Sequence, residues 1–202
     1  MLQEFSLSGL VTLLVSAAVL MASPGPTTVS ITATAAAFGL RHSLGYWAGI
    51  NLGTILVLLA VALGATALLH ELPRLSFTVS LAATLYMLYR AWRIATAPPL
   101  SAAAAAGRAS GWLAGLSLAV ANPKAYLAIG AVYAQSTLLA GRPLPDALLK
   151  CVVLAVAIIA IHTLWALAGS SLTSILSHPL AARILNIGLA CLLILIVLIG
   201  FL

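Results

Sequence analysis

The sequence predicts an all-α, polytopic membrane protein with six transmembrane helices, arranged as an inverted 3+3 repeat in which helices one and four are broken. Three observations carry this prediction. Of the 202 residues, 63% are hydrophobic and 6% are charged, against roughly 25% charged residues in soluble domains. The charges cluster between long apolar stretches, as in membrane-spanning chains. Finally, two of these stretches contain a proline motif near the middle, one in each half of the chain.

The first apolar stretch, 5–40, contains no charged residue. As one helix it would be roughly 54 Å long, against a bilayer core of roughly 30 Å, so it must break or bend. The Ser-Pro-Gly-Pro segment at 23–26 is the predicted break, because each proline removes a backbone donor and clashes with the preceding turn. We predict a half-helix that starts with Ser23 as its N-cap and Pro24 in its first turn, and that ends near Phe38.

The second predicted span, 43–69, follows a loop that contains Arg41 and His42. It carries Gly45, Gly49 and Gly53 on one helix face, a spacing that lets another helix backbone approach closely. The alternative is that small residues are simply frequent there. A third span is predicted at about 75–94.

The second half of the chain repeats this layout. The fourth stretch, 109–141, is interrupted at Asn122, Pro123 and Lys124, where Asn122 is again a predicted N-cap before a proline. The fifth span, about 147–173, has His162 near its centre, and the sixth, about 184–202, is uncharged.

The layout predicts one membrane transport domain, 1–202, made of repeat one (about 1–98), a linker (about 96–110) and repeat two (about 109–202). Pro24 and Pro123 are 99 residues apart. Each repeat contains three spans, an odd number, so the two copies must be inverted. Interrupted helices at corresponding positions of inverted repeats point to a transporter site between them.

The basic residues serve as topology signals, since they are scattered between apolar segments instead of forming a nucleic-acid-binding face. Connections one, three and five hold five cations, and the opposite connections hold three. We therefore predict that both termini lie outside. The two groups are Arg41, Arg90, Arg93, Arg108 and Arg183, and Arg74, Arg142 and Lys150.

The breaks carry the predicted chemistry. A half-helix N-terminus presents free N–H groups and a partial positive charge, so two converging ones favour an anion such as a carboxylate. Lys124 adds a full charge, and an ionisable residue at membrane depth indicates function. The alternatives are that the prolines are packing kinks and that Lys124 snorkels to the interface.

Two further polar residues lie within predicted spans. His162 is a candidate for ion coupling, or a neutral imidazole that is hydrogen-bonded between helices. Asn51 either contacts the substrate or joins two helices.

Four segments together resemble the LysE/RhtB family of amino-acid exporters over nearly the whole chain: SPGPTTVSI, GLRHSLGYWAGINLGTI, LYMLYRAWRIA and LAGLSLAVANPKAYLA. The resemblance implies efflux of amino acids or derivatives, coupled to an ion gradient, by a six-helix inner-membrane protein that forms a homo-oligomer. By motif it carries over six site residues: Pro24, Gly25, Pro26, Asn122, Pro123 and Lys124.

Departures from the family pattern argue for a neutral substrate. Thr27 stands where asparagine often follows the proline motif, and the acidic residues Glu4, Glu71 and Asp146 all lie at segment ends. A carboxylate would meet Lys124 and the helix N-termini, while the α-ammonium would rely on broken-end carbonyls, Asn51 or Tyr126. The predicted substrate-binding set is Ser23, Pro24, Gly25, Pro26, Thr27, Asn51, Asn122, Pro123, Lys124 and Tyr126.

Other functions find less support. The chain has no GxSG or HExxH motif and no paired intramembrane aspartates, so we predict no enzyme. Cys151 and Cys191 lack metal-site spacing, and no cofactor or metal is predicted. The alternative within the same superfamily is an exporter of metal ions or other small solutes. The predicted partners are a small-molecule substrate, the lipid bilayer and further copies of the chain.

Overall fold

A computed structural model describes residues 5–64 and 111–171, together with single positions between 81 and 96 and between 180 and 195. Helices make up both long described ranges: α1 (Leu7–Ser16) with a π-helical turn (Ala17–Met21), α2 (Pro26–Ala62), α3 (Trp112–Val120), α4 (Pro123–Ala134) and α5 (Pro143–Ser171). The predicted third and sixth spans and the linker lie largely or wholly outside the described residues.

Helix α2 turns back on itself at Gly39, whose φ of 75° is in the region that glycine alone enters readily. The Ser30 and Tyr46 hydroxyls are 2.6 Å apart although they are 16 residues apart in sequence, a separation of about 24 Å in a straight helix. The two arms therefore pack side by side. The predicted loop at Arg41 and His42 is wrong, because one glycine makes the turn and both residues lie in the second arm.

The first break differs in register from the prediction. The new helix starts at Pro26 with Gly25 as its N-cap, so the assignment of Ser23 as N-cap and Pro24 to the first turn is wrong. Thr28 Oγ1 accepts a hydrogen bond from the Gly25 N–H at 2.8 Å, which fixes the start. Ser23 instead donates its hydroxyl to Leu20 O at 2.8 Å and closes the end of the preceding helix.

Three other boundaries also shift. The second arm of α2 ends at Ala62 and not at 69, because Gly64 adopts a φ of 88° in the following turn. Helix α4 ends at Ala134, seven residues before the predicted end at 141, and α5 begins at Pro143 and not at 147. Asp146 and Lys150 therefore lie inside α5, and counting Lys150 as a loop cation was wrong.

The first arm of α2 is the centre of the described fold. Every residue at 26–37 is buried, and α3, α4 and α5 pack around the two arms. Glycines allow the closest approach: a Cβ on Gly49 would overlap the Trp112 carbonyl oxygen, and one on Gly53 would lie 2.7 Å from Leu116 O. A Cβ on Gly45 would make only ordinary contact, 3.9 Å from Trp112 N.

The outer surface of the described helices is strongly apolar. By length and composition alone, Pro26–Ala62 and Pro143–Ser171 are apolar enough to cross a membrane, although the first consists of two arms joined at Gly39. Large aliphatic side chains stand exposed at every fourth residue along α5, at Leu144, Leu148, Val152 and Val156. A soluble protein rarely exposes such a continuous apolar surface, whereas a bilayer covers it. The described part of the chain is therefore all-helical, with an outer surface suited to a bilayer.

Candidate functional site

The two helix breaks meet through Lys124. Its ammonium extends from the first turn of α4 and donates three hydrogen bonds, each 2.7 Å long, to Ser23 O, Ser23 Oγ and Pro24 O. We call these three oxygen atoms the oxygen cup. The cup lies where the first helix has ended and α2 has not begun, so its carbonyl groups have no helical partner.

Gly25 makes this contact possible. A Cβ at this position would lie 2.9 Å from Cδ and 3.0 Å from Nζ of Lys124. The backbone of Gly25 is extended, with φ −159° and ψ 175°, a conformation that any residue adopts. Glycine is thus required here by the space that the lysine occupies, not by its backbone conformation.

A small cavity lies beside the cup. It offers about 30 Å³ of free space, room for one or two water molecules. The first and second breaks, the second arm of α2, α4 and α5 all contribute to its walls, with hydroxyl, amide, ammonium and imidazole groups among aliphatic ones. The start of α2 and the start of α4 both border it, so two helix N-termini face one space.

Asn122 lines this cavity and carries a buried acceptor without a partner. It occupies the N-cap position of α4, yet its side chain makes no capping hydrogen bond. The residue is 2% exposed, and its Oδ1 is buried without a hydrogen-bond partner. A buried acceptor left unpaired destabilises a fold, so a water molecule or a ligand group is expected to pair with it.

His162 reaches the cavity from α5 and is held by Asn51. The Asn51 amide nitrogen donates to Trp47 O at 2.9 Å, so its oxygen is the atom that faces His162 Nδ1 at 3.1 Å. An amide oxygen only accepts, and Nδ1 therefore carries the proton. The neutral ring is left with Nε2 as its free acceptor.

The structure brings together part of the predicted set. Five predicted substrate-binding residues line the cavity: Ser23, Gly25, Thr27, Asn122 and Lys124. His162 lines it as well. The other five do not line it: Pro24 contributes its carbonyl to the cup, Asn51 supports His162, Pro26 and Pro123 begin their helices, and Tyr126 packs against the apolar cluster around Leu13 and Val57.

Two residues outside the predicted set, Thr28 and Thr54, also line the cavity. A signal for the first was present, since TTVSITAT places five hydroxyl residues within eight positions just after the break. All five are buried, which is unusual for a segment predicted to be apolar.

A second polar cluster lies at the start of α5, away from the cavity. Asp146 Oδ1 accepts from the N–H groups of Leu138 and Leu139 at 2.6 and 2.9 Å, and Oδ2 is 3.0 Å from Lys150 Nζ. Lys150 also donates to Tyr133 O in the last turn of α4 and to Ser136 O in the α4–α5 connection. The pair thus fastens this connection to α5.

These features define a class of protein. Interrupted helices whose broken ends face one polar cavity inside an apolar helix bundle are typical of membrane transport proteins. Within the described residues, no group of three or more His, Cys, Asp or Glu side chains is placed to hold a metal ion. The model of the LysE type translocator family matches residues 18–199, and the chain belongs to that family.

Similarity to individual proteins is more local. Over 76 residues the chain is 36% identical to the cysteine/O-acetylserine efflux proteins of Salmonella typhi, Salmonella typhimurium and Salmonella paratyphi A. The matched segment spans 38% of this chain and 39% of each relative. No solved structure matches the chain.

Proposed function

We propose that this chain exports a small neutral amino acid or amino-acid derivative from the cytoplasm across the bacterial inner membrane. The observation that carries the proposal is the meeting of the two breaks: Lys124 of the second break is bound to the oxygen cup of the first, beside a cavity bordered by two helix N-termini. This supplies cationic and acceptor groups in one place, as a zwitterion requires.

The charge of the lining supports a neutral substrate. Among the described residues that border the cavity, Lys124 is charged and none is acidic. Asp146, the acidic residue of the described ranges, is engaged by Lys150 and two backbone N–H groups elsewhere. A second amino group on lysine or arginine would therefore be desolvated without a carboxylate partner, which is costly.

Cysteine and O-acetylserine are the substrates we propose to test first. They are the compounds in the names of the similar efflux proteins, and both are small and neutral overall. The described cavity is small and holds no more than a few water molecules, so we propose that the site opens further when substrate enters.

We further propose six spans in two inverted repeats, both termini outside, and a homo-oligomer. Ion-gradient coupling is part of the same proposal, with His162 as the candidate carrier, because Nδ1 is held by Asn51 and Nε2 is left to exchange a proton. The test is the export rate of His162→Gln with and without a pH gradient. If His162 is the carrier, export continues but no longer responds to the gradient. A reporter fused after Leu202 that is active only in the cytoplasm would contradict the orientation.

An efflux assay tests the proposed function. Cells with and without the chain are loaded with dipeptides that release cysteine, threonine, leucine, lysine or arginine, and the amino acid appearing in the medium is measured. We expect faster release of the small neutral amino acids only. Faster release of lysine or arginine alone would overturn the assignment, and equal release of all five would show that the chain is not their exporter.

A further inference from the structure

The oxygen cup is built to hold one primary ammonium group. A lysine ammonium has three N–H donors, and all three are used at 2.7 Å in the cup. The Ser23 hydroxyl gives its own proton to Leu20 O, so toward Lys124 it acts as an acceptor. The cup therefore presents three acceptors and no donor to the group it binds.

This occupancy limits what Lys124 does in the described conformation. With its three donors engaged, the ammonium has none left for a substrate carboxylate. To bind one, Lys124 must give up at least one cup oxygen, and an emptied cup would leave the half-buried Ser23 carbonyl without a donor. A second ammonium that enters as Lys124 leaves removes that cost.

Asn122 is the independent sign that a donor-bearing ligand enters here. Its Oδ1 is buried without a partner, and the residue lines the same cavity as Ser23 and Lys124. An unpaired amide oxygen accepts from N–H groups and repels carboxylate oxygens. In this orientation of the amide, the ligand group that pairs with it is a donor, as the α-ammonium of an amino acid is.

We propose that the substrate and Lys124 exchange partners: the substrate α-ammonium takes the oxygen cup and the Asn122 oxygen, and the displaced Lys124 ammonium pairs with the substrate carboxylate. This rests on the proposed function and names the ammonium subsite within it. The cup holds one ammonium before and after the exchange, and the zwitterion adds no net charge to the site. A ligand that lacks either charged group completes only half of the exchange.

Three probes with one side chain separate the two halves of the exchange: cysteine, cysteamine without the carboxylate, and N-acetylcysteine without the ammonium. Binding to the purified full chain in nanodiscs is measured by calorimetry. The native chain should prefer cysteine to each of the other two by about tenfold or more, since each lost charged contact costs that much. No measurable cysteine binding, together with no cysteine export, would remove the proposed function itself.

Lys124→Met is the decisive variant, because it empties the cup and also removes the carboxylate partner. We expect the cysteine-to-cysteamine preference to fall by about tenfold or more, toward equal binding. Lys124→Gln, which retains a polar but uncharged group, should shift the preference in the same direction and serves if Lys124→Met folds poorly. A folded variant with the native preference, or one that gains N-acetylcysteine binding, would overturn the exchange while leaving amino-acid export intact.

Ser23→Ala tests the cup itself and has a matched control in Ser171→Ala. Both serines donate to the carbonyl three residues earlier, at 2.8 and 2.7 Å, but Ser171 is exposed at the end of α5. In the Lys124→Met background, Ser23→Ala should weaken cysteamine binding by about tenfold and Ser171→Ala should not change it. When Lys124 is present, the Ser23 hydroxyl binds the lysine ammonium before the exchange and the substrate ammonium after it. Ser23→Ala weakens both contacts, so cysteine binding should fall by less. Equal losses in the two backgrounds would contradict the proposal.

Discussion

The side-chain oxygen of Asn51 accepts a hydrogen bond from Nδ1 of His162, with 3.1 Å between the two atoms. The bond links the second arm of α2 to the middle of α5, and both residues are buried, at 5% and 4% exposure. Because Trp47 O fixes the orientation of the Asn51 amide, the position of the proton on His162 follows from the geometry.

Replacing Asn51 by leucine should therefore lower the free energy of unfolding by about 1–3 kcal/mol, because His162 Nδ1–H is left buried without an acceptor. The double replacement of Asn51 and His162 by leucine should cost less than the sum of the single ones. Thermal unfolding in detergent measures both. Strictly additive losses would show that the two side chains do not interact.

Gly49→Ala and Gly45→Ala form a pair with opposite expected outcomes. Alanine is favoured over glycine in a helix by about 1 kcal/mol, and at Gly45 nothing opposes that gain. At Gly49 the new Cβ would overlap the Trp112 backbone, and overpacking costs about 1–3 kcal/mol. The folded yield and the melting temperature should fall for Gly49→Ala only. An unchanged folded yield with an altered substrate preference would show that Gly49 belongs to the substrate site and is not a helix-packing residue.

Gly25→Ala should leave the fold intact and displace Lys124 from the oxygen cup. The atoms in its way belong to the flexible lysine side chain, 2.9 Å from the new Cβ at the nearest. The control is Gly111→Ala, also an extended glycine N-cap, where a Cβ meets nothing within 4 Å. We expect melting temperatures near native for both and reduced export for Gly25→Ala alone. Native export by Gly25→Ala would show that the lysine position is not critical.

The Asp146–Lys150 pair should behave as a buried ion pair, with side chains 11% and 8% exposed. Asp146→Asn or Lys150→Met alone should destabilise the chain by about 3–5 kcal/mol, because each leaves one buried charge unpaired. Asp146→Leu combined with Lys150→Met should be closer to native than either single change. The melting temperatures of the native chain, the two single variants and the double variant test this. A double variant that melts below both single variants would contradict it.

Both breaks were predictable from the sequence, because a proline within a long apolar stretch cannot continue a helix. The register of the first was not. Pro24 and Pro26 both satisfy the first-turn rule, and the choice between them depends on the Thr28 hydroxyl at Gly25. The second break has one proline, and there α4 begins at Pro123 as the sequence predicts.

Contacts between distant segments could not be predicted from the sequence. Lys124 and Ser23 are 101 residues apart, and no local pattern tells a lysine that crosses a cavity from one that snorkels to the interface. Asp146 and Lys150, by contrast, have the i, i+4 spacing of a helical pair. The spacing predicts an ion pair only when both residues lie in one helix, and the predicted helix begins one residue after Asp146.

The most direct test of the central claim is export of radiolabelled cysteine from proteoliposomes that contain the native chain, Lys124→Arg or Lys124→Ala. We predict rapid export by the native chain, partial export by Lys124→Arg, which keeps the charge, and a loss of about tenfold or more for Lys124→Ala. Native rates from a folded Lys124→Ala chain would contradict it, because the meeting of the two helix breaks would then play no part in transport.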